Sequence, residues 1–138
     1  MAFPKLSCPC IGGTLGVAAA LFGAAAIVVG AASAHGGMGY SPLVGIGLSY
    51  HLPHAVVAWA TCVAAPLAAV RDETAAGHLR WAVLCWLVGV LAFSGGLYLH
   101  AFAGISLGPV VPIGALVMIL GWGFAACAAF RLARRLAQ

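Results

Sequence analysis

His35, His51, His54 and His100 are the residues of this 138-residue chain whose type and placement could do chemistry. Imidazole is the common ligand for Zn, Cu and haem iron, and an ionisable group near hydrocarbon is costly unless it is partnered. His51 and His54 are three apart, the helical spacing that puts two side chains on neighbouring positions of one face. Three or four such rings with no acidic neighbour would suit a divalent or cuprous metal, with Tyr50, Ser94, Tyr98 and Tyr40 orienting them as outer partners. The same set could instead form a hydrogen-bonded polar plug of neutral imidazoles closing one end of a helix array. The chain contains no HExxH, no CxxCH and no carboxylate-rich ligand set, which removes support for hydrolytic zinc chemistry and covalent haem.

Two other constellations are weaker. Ser94, in Phe93-Ser94-Gly95-Gly96, superficially resembles a reactive serine near a histidine, but it has no acid to orient a base and reads as a helix serine bonded to backbone. Cys8-Pro9-Cys10 could hold a soft metal such as Cu(I), or belong to an ordinary N-terminal leader. Cys62, Cys85 and Cys127 fall within apolar stretches, where thiols behave as small apolar residues.

What must position these residues is a set of membrane-spanning helices. Hydrophobic residues make up 64% of the chain and charged ones 6%, against about 25% charge in soluble domains. The mean hydropathy is +1.14. A spanning helix needs about 20 apolar residues, so the chain has room for four spans and little else. A soluble catalytic domain, a Rossmann or P-loop nucleotide site and nucleic-acid binding are excluded by the same arithmetic. The fold expected is all-α: one transmembrane domain over 1–138, an antiparallel four-helix bundle with helices near 11–34, 43–70, 80–100 and 109–130.

Breakers set those limits. Gly36, Gly37, Gly39, Ser41 and Pro42 mark a turn after His35, and Gly104, Gly108 and Pro109 mark another. The second helix could start near Leu43 and kink at Pro53, or start at Pro53 as a first-turn proline. The polar run Arg71-Asp72-Glu73-Thr74 reads as a solvated loop, with His78 in it and with Asp72 and Glu73 able to pair with Arg71 or Arg80. Ala32-Ser33-Ala34 before His35 resembles a signal-peptidase site. The apolar run before it is too long for the 7 to 15 residues of a signal h-region, so a retained span is expected.

Charge gives direction. With four spans, Lys5, Arg71, Arg80, Arg131, Arg134 and Arg135 fall on one side, together with Asp72 and Glu73. The positive-inside rule then puts both termini in the cytoplasm and the four histidines in the outer half of the bilayer. Trp81 beside Arg80 fits an interfacial anchor, while Trp59, Trp86 and Trp122 lie within spans. Glycines recur every seven residues as Gly16, Gly23 and Gly30, as Gly89 and Gly96, and as Gly114 and Gly121. Each set forms one stripe where a neighbouring backbone can approach, which predicts close helix packing rather than a water-filled path.

The order and spacing of Leu21-Phe22-Gly23-Ala24, Ala34-His35-Gly36, Tyr50-His51-Leu52-Pro53-His54, Phe93-Ser94-Gly95-Gly96-Leu97-Tyr98, Pro112-Ile113-Gly114 and Gly121-Trp122 resemble the YgdD-like family of small bacterial inner-membrane proteins. The resemblance implies four membrane helices and leaves activity open. The family's usual histidines match His35 and His54. His51 stands where the family commonly has Gln, Pro53 where it has an aromatic and His100 where it has an apolar residue.

The function expected is therefore a non-catalytic accessory or interaction subunit of the bacterial inner membrane. Its partners would be the lipid bilayer and either a larger membrane complex or further copies of itself. The alternative is a Cu, Zn or haem binding protein centred on His35, His51, His54 and His100. A small transporter is a third reading, without the buried acids, broken helices or inverted repeats that would support it.

Overall fold

The computed structural model describes residues 11–35 and 41–137, and all its elements are helical. Lys5, Cys8, Cys10 and the Gly36, Gly37, Gly39 and Tyr40 positions lie outside the described residues. A π-helical turn, Ile11–Leu15, leads into α1 (Gly16–His35); α2 spans Pro42–Arg71, α3 Glu73–Ala103 and α4 Val110–Leu136. All four helices are long and apolar enough to cross a membrane.

The start of α2 lies one residue from its expected position near Leu43, whereas the start of α3 moves from about Arg80 to Glu73. Ser41 precedes α2 in an extended conformation and Pro42 occupies its first turn, where a missing N–H costs nothing. Helix α2 then continues through both Pro53 and Pro66, so of the two alternatives it starts near Leu43 and not at Pro53. Membrane helices tolerate such prolines because neighbours and side chains re-satisfy the freed carbonyls.

The expected loop after Arg71 does not exist. Asp72 is the only residue between α2 and α3, in an extended conformation (φ −156°, ψ 104°). Its backbone N–H donates to the Ala68 carbonyl, ending α2, and its carboxylate accepts from Ala75 N–H at 3.0 Å, starting α3. An N-cap Asp followed by Glu73 in the first turn is a helix-start signal, since both acids face the positive end of the helix dipole. His78 consequently sits on α3 rather than in a loop, donating from Nδ1 to the Thr74 carbonyl at 2.7 Å. At the far end, Gly104 adopts the left-handed conformation (φ 68°), its N–H donating to His100 O while Ile105 N–H reaches Leu99 O.

Helix α1 packs on α2, α2 on α3, and α3 most extensively on α4; α2 also touches α4, and no substantial contact joins α1 to α4. The most apolar window of α3 is 44% buried, against 17% in α1 and α4, so α3 is central and the other two are flanks. Trp86 is the largest side chain of the core, with Ala58, Cys62 and Ala65 from α2, Ala82, Val83 and Leu87 from α3, and Ala19 from α1.

Glycines decide where α3 meets α4. A Cβ on Gly114 would lie 2.6 Å from Phe93 N and 2.9 Å from Gly89 O, and one on Gly89 would lie 2.8 Å from Gly114 O. Gly121 faces Trp86 and Ala82, Gly89 faces Met118, and Gly96 faces Val111. Partners therefore descend along α4 as they ascend along α3. The α1 stripe behaves differently. Gly23 and Gly30 meet nothing nearer than Ala55 at 4.0 Å and Leu48 at 3.6 Å, ordinary van der Waals distances.

Candidate functional site

The chemistry-bearing side chains divide into a polar cluster within the spans and a charged cluster at the α2–α3 junction. In the first, Gly47 makes room for Tyr98: a Cβ there would sit 2.5 Å from Tyr98 Cε1. The Tyr98 hydroxyl then lies 3.2 Å from His51 Nδ1. Ser94, fully buried, donates to the Gly47 carbonyl at 2.9 Å, tying α3 to α2 at the same level. His51 is 94% buried, since only 6% of its surface is exposed, and its ring meets Phe22 of α1 edge-on at 5.8 Å. The Phe22 backbone lies beside that ring, yet His51 Nε2 makes no hydrogen bond of good geometry.

His54 points elsewhere. Its Nδ1 lies 2.8 Å from the Tyr50 carbonyl, which can only accept, so the proton is assigned to Nδ1. Nε2 is then an acceptor, and Trp122 of α4 donates its indole N–H to it at 3.2 Å. Tyr50 stacks on the His54 ring at 6.4 Å and meets Phe93 edge-on at 4.9 Å. At 1.5 Å rise per residue, His54 lies about 18 Å along α2 from its start, well inside the helix.

The structure does not gather His35, His51, His54 and His100. Three residues of α2 separate the two central rings by nearly a full turn, turning His51 towards α1 and α3 and His54 towards α4. His35 and His100 are exposed at the C-terminal ends of α1 and α3. Among the described residues no three His, Cys, Asp or Glu side chains form a group able to hold a metal ion. The reason is local: the His54 lone pair accepts the Trp122 N–H, and His51 Nδ1 is shared with Tyr98. Of the expected outer partners, Tyr98 and Tyr50 do contact His51 and His54, whereas Ser94 binds backbone.

At the α2–α3 junction Asp72 is buried, with 4% of its side chain exposed. Its partners are Arg131 and Arg135 of α4, at 3.2 and 3.4 Å, rather than Arg71 or Arg80. The Ala75 N–H, then Arg135 and Arg131, hold its carboxyl below the usual range against the opposing effect of burial. Gly47, Trp122, Arg131 and Arg135 were not distinguished by sequence spacing, because each becomes informative only through a partner 47 or more positions away.

Residues 29–115, from the end of α1 to the start of α4, match the model of a family described as protein of unknown function, DUF423. The chain belongs to the DUF423 family. His35, His51, His54, His100, Ser94 and Tyr98 fall within the DUF423 match, while Trp122 and Arg131 to Arg135 fall beyond it. A relative from Haemophilus influenzae, named a UPF0382 membrane protein, is 36% identical over 77 residues, covering 55% of this chain. The matched segment spans 56% of that relative's length. No solved structure matches the chain. DUF423 membership thus joins the four long apolar helices in marking a membrane protein whose family carries no assigned activity.

Proposed function

We propose that this DUF423 protein is a small non-catalytic subunit of a larger assembly within the bacterial inner membrane, an antiparallel four-helix protein with both termini cytoplasmic. The observation that carries the reading is α1. Among the described residues its only extensive contact with another spanning helix is with α2, and its exposed surface includes Ala20, Ala24, Ala25, Ala31 and Ala32. Lipid tails gain nothing from small side chains, whereas a helix partner does, because small residues let two backbones approach closely. The polar side chains support the non-catalytic part: Ser94 is consumed by a backbone carbonyl and His54 by two fixed bonds. The resemblance of its motifs to the YgdD-like family and the placement of the basic residues in the sequence support the compartment and orientation.

Extraction into native nanodiscs followed by mass measurement tests this. Particles containing more polypeptide than one 13.8 kDa chain are expected. Ala24→Leu, on the exposed flank of α1, should shift them towards the single chain without lowering its unfolding midpoint. Single chains alone, across nanodiscs and several mild detergents, would refute the proposal.

A further inference from the structure

The end of the molecule that carries Asp72 has two recesses, and neither is explained by helix packing or by an assembly role. One is a polar cleft of about 360 Å³ lined by Asp72, Phe130, Arg131, Arg134 and Arg135. The other is an apolar groove of about 400 Å³ lined by Ala64, Leu67, Ala68, Leu79, Leu132 and Leu136, with Arg71 on its wall. They are neighbours by construction. Arg71 is followed directly by Asp72, and Arg131 and Arg135 alternate with Leu132 and Leu136 along α4. A cation-lined cleft beside an apolar trough matches an amphiphile with an anionic head.

We infer that this end binds one anionic phospholipid, its phosphate against Arg134 and Arg135 and an acyl chain in the apolar groove. Charge decides the sign of the head. Asp72 is buried and already accepts from Ala75 N–H, Arg131 and Arg135, so it presents little to a ligand. Glu73 is exposed but lines neither recess. Among the described residues Arg134 has no carboxylate partner, and it lies over the Phe130 ring, 5.8 Å from its centroid. Arg135 is 55% exposed along its side chain although its Nε meets Asp72. Guanidinium groups pair with phosphate oxygens in a fork geometry and suit this task better than a point charge.

Depth decides that the anion is a lipid. At 1.5 Å per residue the 30 residues of α2 extend about 45 Å, beyond a hydrocarbon core of about 30 Å. The α2–α3 junction therefore reaches the headgroup layer while Ala64 and Leu67 remain among acyl chains. Basic pockets between membrane helices at that level hold anionic headgroups. Phe130, 65% exposed, offers apolar surface between the two regions.

The test uses the full chain in a non-ionic detergent, with lipid adducts counted by native mass spectrometry. Dioleoylphosphatidylglycerol should be retained in preference to dioleoylphosphatidylcholine, and sn-glycerol 3-phosphate should not displace it. Arg134→Gln, which leaves both Asp72 ion pairs in place, should weaken phosphatidylglycerol retention about fivefold, with Arg134→Lys intermediate. Ala64→Trp, which fills the groove, should weaken it while leaving the arginines in place. Added salt should lower retention by the wild-type chain, a measurement independent of whether any variant folds. Equal retention of the two lipids, indifference to Arg134→Gln in a folded variant, or indifference to salt would overturn the inference. Displacement by glycerol phosphate at equal concentration would assign the cleft to a free phosphate and overturn the lipid site.

Discussion

Asp72 shows how much one residue can organise here. It ends one helix, caps the next and receives two arginines from a third. Asp72→Asn keeps the cap acceptor and loses the charge, so it should destabilise the protein at neutral pH. Because the folded carboxyl titrates below its ordinary range, the stabilisation is present above the unfolded pKa of about 4 and is lost as pH falls through the lower folded value. Unfolding of wild type and variant in detergent, compared from pH 7 downward, should therefore converge only in acid. Ser94→Ala removes a buried interhelical bond to Gly47 O. Membrane hydrogen bonds of this kind average about 0.6 kcal/mol, so a small loss is expected in an SDS unfolding titration. The cap at Asp72 was readable from Asp followed by Glu73, but the arginines that complete it were not, since nothing in spacing links position 72 to positions 131 and 135.

At the level of elements, the interface of α3 and α4 is set by backbone proximity and that of α1 and α2 is not. Gly114→Ala drives a Cβ against Phe93 N and Gly89 O, atoms that move only if the helices separate. It should cost about 1–3 kcal/mol, as overpacking does in other cores. Gly23→Ala meets only a methyl at 4.0 Å and should be neutral, or stabilising by up to about 1 kcal/mol through helix propensity. Thermal unfolding in detergent separates the two outcomes. The seven-residue glycine spacing is identical in α1 and α3, so sequence ranked the stripes alike; only the neighbour on the other side distinguishes a tight contact from a loose one. Gly47, part of no stripe, proves as confined as any because Tyr98 fills the space before it.

For the whole molecule, the one-sided placement of Lys and Arg expected from the sequence leads to a further prediction. A green fluorescent protein fused after Gln138 should fluoresce and alkaline phosphatase fused there should be inactive, as a cytoplasmic C-terminus requires. Exchanging Arg131, Arg134 and Arg135 for neutral residues should weaken that bias. The helices form a row with α1 and α4 on its flanks, and among the described residues α1 has no second extensive helix neighbour beside α2. The chain's own residues determine four helices long and apolar enough to cross a membrane, because 64% apolar composition and long uncharged runs act locally, through transfer of each segment from water to lipid. They also determine the helix ends at Asp72 and Gly104, where capping groups lie within a few positions of the backbone they serve. The tertiary structure alone decides that His51 and His54 face different helices, that Trp122 takes the His54 lone pair and that α4 arginines close over Asp72. Those outcomes depend on the rotation of each helix about its axis, and a rotation is fixed by the neighbour it packs against.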